Sequence, residues 1–503
     1  MRFERDKKTV KMFSYSTMAM SYGIMINFLN VNIFNFYTDE VLLNINYIPI
    51  IMTIYAIWNA LNDPLFGIIS DKIKTPWGRR FPFILFGFIP FTLSFLAIWF
   101  LPPSLIISKT NIKSVIGFTN FLFPSFISAK SQLLQNTVNI LFHPYVRGVN
   151  QNYIFIYMVS FLLIFDTLFT MVVMSWQTLF PEKFKEDKER SYVAAITQTI
   201  RLLGIVFALV FPPLLIEYGD IDSYRLPILI LVIVVFLGFL FSLYGSRDEA
   251  KEVDKEIEVR EEKEDEKKGR TNLQAINDVL KNKNLMAFTV AIGMSNIAFL
   301  ILMAMVRYMN KWVLVQEARF ETYINAVAFA VGLLTFIVWA KISIKRGPKL
   351  VYIASGAMFF LSLLPLAFAG EGWGWVVLIL MVFVGFSISG LLLIPDILLA
   401  EIIDEDVKKS GEKREGLIYG VYGFAIRIAI VFESYLITFV LNRTKFDPLA
   451  SEQAPLAKTG IKMLMVGVPA VCFIIGIVLM IFYYDLSRKK IEKKYNRNFS
   501  IFH

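Results

Sequence analysis

Apolar runs of about 20 residues, the length an α-helix needs to cross the hydrocarbon core of a bilayer, recur along nearly the whole chain and leave it few folds to adopt. They read as spans near 11–37, 46–70, 81–101, 153–180, 192–215 and 225–244, and again near 284–311, 321–344, 349–369, 374–402, 416–441 and 461–485. The total is about twelve in two groups of six, which implies an all-α integral membrane protein. With 56% hydrophobic side chains over 503 residues, the chain has too few polar groups to cover a water-exposed surface.

The spans divide the chain into an N-terminal bundle (1–245) and a C-terminal bundle (284–486), joined by a charged linker (246–283) and followed by a basic tail (487–503). The linker is dense in Glu, Asp, Lys and Arg and is expected to remain solvated. Its later part, with Thr271 as an N-cap and Leu273, Ile276, Val279 and Leu280 at helical spacing, predicts a short amphipathic helix on the cytoplasmic face. Between the third and fourth spans, Pro102 to Gln151 forms a long excursion with apolar patches too interrupted to span. It reads as an interfacial or lid-like insertion, or as a decoration.

The net charge of +10 does not point to nucleic acid, because the basic residues gather in loops after alternate spans. Lys72–Arg80, Lys341–Lys349, Lys408–Arg414 and Arg488–Lys494 are such clusters, whereas the opposite loops at Glu217–Asp220 and Gly370–Gly372 carry few positive charges. The positive-inside rule therefore places both termini in the cytoplasm of a multi-pass protein of the cell membrane. Met1–Lys11 leads into an apolar run too long for a signal peptide, so the first helix is expected to stay uncleaved. One cysteine, Cys472, and two histidines, His143 and His503, leave no intramolecular disulfide, no thiolate zinc site and no basis for metal, haem or Ser-His-Asp chemistry. No metal and no cofactor are expected, and the chain does not read as an enzyme.

Chemistry concentrates in the second span. Trp58-Asn59-Ala60-Leu61-Asn62-Asp63-Pro64 puts an acid inside an apolar helix, and Gly67, Asp71 and the basic turn through Arg79 and Arg80 lie just beyond it. A carboxylate in hydrocarbon is costly unless it pairs, faces water or holds a cation, so Asp63 is a functional candidate. Asp396 and Glu433 are further acids within apolar runs and read either as satisfied structural charges or as cavity residues. The halves also echo each other: Gly67–Arg80 after the second span corresponds to Ala340–Lys349 after the eighth, and Pro181–Arg201 to Ala400–Arg427.

Asn62-Asp63-Pro64 with Gly67 and Asp71, then Thr75-Pro-Trp77-Gly78-Arg79-Arg80, resembles the second-helix signature of the glycoside/pentoside/hexuronide cation symporters of the major facilitator superfamily. Two further blocks agree. They are Phe165-Asp166-Thr167 with Leu179-Phe-Pro181-Glu182, and Ala400-Glu401-Ile-Ile-Asp404-Glu405-Asp406 with Arg414-Glu415-Gly416. The resemblance covers nearly the whole chain outside 102–151. It implies a major facilitator fold of twelve helices in two bundles, alternating access, and cation-coupled symport of a sugar or glycoside by a monomer.

The resemblance assigns a cation site to Asn59, Asn62, Asp63 and Thr170. Asn59 stands where the family has a first acid, so the expected site carries one charge, which favours a proton over sodium. The family's sugar-binding acids on the first and fourth spans fall at Gly23 and Val173 in an ungapped match, while Arg201 retains the arginine of the fifth span and Arg427 replaces a lysine on the eleventh. The expected substrate site gathers Asp166, Arg201 and Arg427, with Trp58, Tyr22, Asn296 and Trp176 as walls. Two arginines without the usual acids leave open a carrier of an organic anion or a lysophospholipid-like amphiphile, or a sensor without flux. Gly67, Asp71, Arg79, Arg80, Glu401, Asp404 and Arg414 take the positions of gate or latch residues, although Asp71, Arg79 and Arg80 also read as a solvated basic turn that merely sets orientation.

Overall fold

A computed structural model describes residues 2–73, 75, 77, 78, 80–102, 151–184, 187–247, 278–410 and 414–486. Helices stand where the apolar runs predict them: α1 (Arg2–Asn35), α2 (Tyr47–Lys72), α3 (Phe81–Trp99), α4 (Gln151–Phe180), α5 (Asp187–Val210) and α6 (Arg225–Ser246). The second set is α7 (Lys283–Tyr308), α8 (Arg319–Arg346), α9 (Pro348–Leu363), α10 (Gly374–Ser410), α11 (Glu415–Arg443) and α12 (Pro455–Phe482). Among the described residues, 10 helices are long and apolar enough to cross a membrane. The other two are α1, interrupted by Asn27, Asn30, Asn32 and Asn35, and α2, which holds Asn59, Asn62 and Asp63. Most of the insertion, most of the linker with Thr271, and the tail lie outside the described residues, as does Arg79.

Two compact units emerge, Met1–Glu261 with Asp447–Ser451, and Glu262–Phe446 with Glu452–His503. In the first, α1 packs along α5 and α6, and α3 packs on α6. In the second, α7 packs on α11 and α12, α8 on α10, and α9 on α10 and α12. Phe86, Ile337, Leu334 and Trp375 are 63% to 79% exposed, the outward apolar surface that lipid contact demands. Lipid tails give helices no hydrophobic reason to associate, so close backbone approach and buried polar contacts take over. A Cβ on Gly245 of α6 would overlap the Tyr15 backbone nitrogen and lie 2.5 Å from the Lys11 carbonyl oxygen of α1. One on Gly385 of α10 would overlap the Ala328 carbonyl oxygen of α8. In the second unit the Tyr352 hydroxyl joins α9 to α7 through Ser295 Oγ at 2.7 Å and the Ala291 carbonyl at 2.9 Å.

The repeat is visible in how helices end. A π-turn, Phe36–Glu40, closes α1 and passes through Leu42 at φ 62°; another, Met309–Val313, closes α7 and passes through Val315 at φ 54°. The hydrogen bonds match as well: Val41 N to Phe36 O and Leu43 N to Tyr37 O in one, Leu314 N to Met309 O and Gln316 N to Asn310 O in the other. Left-handed backbone at a leucine and a valine is disfavoured, yet the first helix of each unit ends with this same device. Lysines cap the last helix of each unit, as suits the negative end of a helix dipole. Lys183 donates to the Gly245 and Arg247 carbonyls at the end of α6. Lys349 donates to Ile481 and Tyr484 at the end of α12, at 3.2 and 2.5 Å.

Candidate functional site

Asn59, Asn62 and Asp63 occupy spacings i, i+3 and i+4 and so share one face of α2, while Asp166 and Thr170 share one face of α4. The two faces meet. Trp58 Nε1 donates to Thr167 Oγ1 at 3.0 Å, and Asn59 Nδ2 donates to Asp166 Oδ1 at 2.5 Å. Asn62 Nδ2 reaches Thr170 Oγ1 at 2.8 Å, the Asp166 backbone carbonyl at 3.2 Å and Asp166 Oδ2 at 3.3 Å. Thr170 Oγ1 in turn donates to Asp63 Oδ1 at 2.9 Å. All four residues of the expected cation set therefore stand together, and Asp166, assigned from the sequence to the substrate, stands among them.

Local structure positions this contact. Pro64 inside α2 has no N–H to donate to the Ala60 carbonyl, which loosens the turn that contains Asp63. On α4 a π-turn begins at Thr170 and runs to Met174, a distortion that collects at functional positions in helices. Asp166 and Thr170 are 1% and 0% exposed, and Asn62 is 6% exposed; Asp63 and Asn59 are partly open. The π-turn also redirects the residues that follow Thr170, and Val173, at the ungapped acid position, is buried.

The expected substrate residues are distributed differently. Arg201 on α5 lies against Gly23 of α1, where a Cβ would be 3.4 Å from Arg201 Cγ. Its Nε is buried without a hydrogen bond, and among the described residues no carboxylate pairs with it. Tyr22 is in ring contact with Phe169 and Trp176. Trp176 is 4% exposed, stacks on Tyr15 and exchanges hydrogen bonds with it at 2.8 and 3.0 Å. In the second unit the Arg427 guanidinium folds back over Gly423, and Asn296 donates to the Ile292 carbonyl of its own helix.

At the loop ends, Arg80 Nη1 donates to Ser70 Oγ at 2.5 Å, and Gly78 at φ 92° closes the turn with Thr75. The side chains of Asp71 and Arg79 lie outside the described residues. Glu401 accepts from the Tyr484 hydroxyl at 3.4 Å, Arg414 approaches Asp278 at 3.7 Å, and Asp404 is exposed. Glu405, quoted above only as part of the third block, was given no role. It is 4% exposed, accepts from Asn284 Nδ2 at 3.0 Å and pairs with Lys409, and the i, i+4 spacing to that lysine was the available signal.

Residues 14–129 and 134–488 match the profile of the family described as MFS/sugar transport protein, which is more than half of the chain. The chain belongs to this family. As a member of the MFS/sugar transport family it is a multi-pass membrane transporter of small molecules rather than an enzyme, with the major facilitator fold that the motifs imply. It is 24% identical to an uncharacterized symporter of Synechocystis sp., over 90% of this chain and 91% of the relative. It is 23% identical to an Escherichia coli protein named "Putative sulfoquinovose importer", over 95% and 91%. It is likewise 23% identical to one from the same organism named "Putative 2,3-dihydroxypropane-1-sulfonate exporter", over 95% and 92%. Among solved structures it superposes on a D-xylose-proton symporter with TM-score 0.60 at 11% identity, covering 95% of this chain and 97% of that one, a likeness of fold.

Proposed function

We propose that this protein is a cation-coupled symporter that moves a sugar or glycoside by alternating access. The hydrogen-bonded path from Asn62 through Thr170 to Asp63 carries the reading, because it sets an ionisable carboxyl of apolar α2 against the polar face of α4. A charge at the centre of a membrane helix costs about 2.5–3.5 kcal/mol on insertion scales. A proton or sodium ion at Asp63 cancels that charge, so the occupied site rearranges at lower cost than the empty one, and this difference couples ion to substrate. The symporter named among the relatives supports the reading. Gly67, Asp71, Arg79, Arg80, Glu401, Asp404 and Arg414 act as conformational latches, the protein is a monomer of the cell membrane that binds no nucleic acid, and both termini are cytoplasmic.

The test is uptake of a labelled sugar panel, neutral and sulfonated, into proteoliposomes under imposed proton or sodium gradients. Asp63→Asn is expected to lose uphill accumulation while retaining exchange of substrate across the membrane. Full accumulation by that variant would sink the proposal.

Arg201 favours a second reading of the substrate. Its guanidinium has no carboxylate partner among the described residues, and Gly23 leaves no acid beside it. A neutral sugar gains little from an unbalanced cation, whereas a carboxylate or sulfonate matches the guanidinium fork. Arg201 then holds the anionic group of a sugar, with Trp58, Tyr22 and Trp176 of the same unit as walls. The relatives named for sulfoquinovose and for 2,3-dihydroxypropane-1-sulfonate accord with this.

A further inference from the structure

At Asn59 the chain has an amide where the resembled family has an acid, and a carboxylate stands directly across the helix contact. Asp166 accepts from both α2 amides, Asn59 Nδ2 at 2.5 Å and Asn62 Nδ2 at 3.3 Å. Asn62 joins that carboxylate to Thr170, and Thr170 donates to Asp63. The result is one connected path with a carboxylate at each end and an amide and a hydroxyl between. An ionised carboxylate only accepts, and each of these asparagine contacts offers Asp166 a donor.

The charge, however, is not balanced. Asp166 is 1% exposed inside α4, and among the described residues no lysine or arginine pairs with it. Hydrogen bonds satisfy its lone pairs but leave its field uncompensated in a medium where an unpaired buried charge is expensive. A bound cation is the remaining source of balance. Two carboxylates with the Thr170 hydroxyl oxygen between them form a hard oxygen set of the kind that suits small hard cations, whereas one carboxylate suffices only for a proton.

We propose that Asp166 is the second carboxylate of the coupling-cation site, displaced from α2 to α4, so that the ion is held between Asp63 and Asp166 and sodium is accepted as well as a proton. This rests on the cation-coupled reading above and changes its ion preference. It also explains Asn59: the amide occupies the vacated acid position and donates to the acid that replaced it.

The arrangement makes an exchange experiment decisive. Asn59→Asp with Asp166→Asn reverses donor and acceptor across the same 2.5 Å contact and conserves the total charge. The probe is sodium alone, measured as equilibrium binding of radioactive sodium to the purified full chain in lipid nanodiscs, with choline holding ionic strength constant. Wild-type protein is expected to bind saturably, Asp166→Asn to weaken binding roughly 10- to 100-fold, and the exchanged double variant to recover most of the loss. Asp166→Ser provides an independent single variant, and an unchanged elution profile without sodium shows that each protein is folded. The inference is overturned if the wild type shows no saturable sodium binding, if both Asp166 variants bind like wild type, or if the exchange recovers nothing. Asp63→Asn separates the two ideas. Loss of binding in that variant with normal binding in the Asp166 variants defeats only the displaced carboxylate, whereas normal binding in Asp63→Asn defeats the cation site itself.

Discussion

Thr170 is the residue at which α2 and α4 exchange a hydrogen bond in both directions, accepting from Asn62 and donating to Asp63. Thr170→Val keeps the shape but leaves a buried amide donor and a carboxylate each short of a partner, at about 1–3 kcal/mol for each unsatisfied group. Cation-driven accumulation is expected to collapse in Thr170→Val and to return in Thr170→Ser; valine-containing protein that accumulates substrate at the wild-type level would refute the bridging role. Arg201 gives a second prediction. Gly23→Asp has ordinary room, with its Cβ 3.4 Å from Arg201 Cγ, and restores an acid beside the arginine. Competition assays are expected to show weaker inhibition by sulfonated sugars in that variant, with inhibition by neutral sugars unchanged or stronger. That Asn59, Asn62 and Asp63 share one face of α2 was legible in the sequence, because their spacing on one helix mirrors a known motif. The Asp166 contact was not, since it depends on which faces of two helices, more than a hundred residues apart in the chain, turn toward each other.

At the scale of elements, hydropathy alone located the helices, because a run of apolar residues long enough to cross a bilayer must satisfy its backbone internally. The π-turns at Phe36–Glu40, Thr170–Met174 and Met309–Val313 had no comparable signature, since packing decides whether one extra residue is accommodated in a turn. Helix contacts were equally hidden, and glycine sets the closest of them. At Gly385 even a methyl group meets the Ala328 carbonyl, which cannot swing aside as a side chain would, so α8 and α10 must separate. Gly385→Ala is expected to destabilise the protein by about 1–3 kcal/mol, read as earlier loss of the monodisperse peak on heating in detergent. Gly293→Ala makes the same change in α7 where no atom lies within 4 Å, and is expected to leave that temperature unchanged or slightly higher. Equal effects in the two variants would mean that helix propensity, rather than the α8–α10 approach, governs the result.

For the molecule as a whole, orientation follows from charge counted along the chain. The six spans expected in each unit would return the chain to the side on which it began and put the basic loops at Lys72–Arg80, Lys341–Lys349 and Lys408–Arg414 on that side. A mistaken span anywhere before Lys341 would invert every later loop, which is why the 102–151 segment matters although most of it lies outside the described residues. The chain itself supplies a clean means of checking. Its single cysteine, Cys472, is buried, so a membrane-impermeant maleimide has little native target. Lys345 and Glu371 are both exposed and lie at opposite ends of α9, on opposite faces of the bilayer if the topology holds. In intact cells, Glu371→Cys is expected to label promptly from outside, and Lys345→Cys only after the membrane is permeabilised. Labelling of Lys345→Cys in sealed cells would reverse the orientation of the second unit. Labelling of both from outside would show that α9 does not cross the membrane, which would undo the six-span count on which the shared side of the two termini depends.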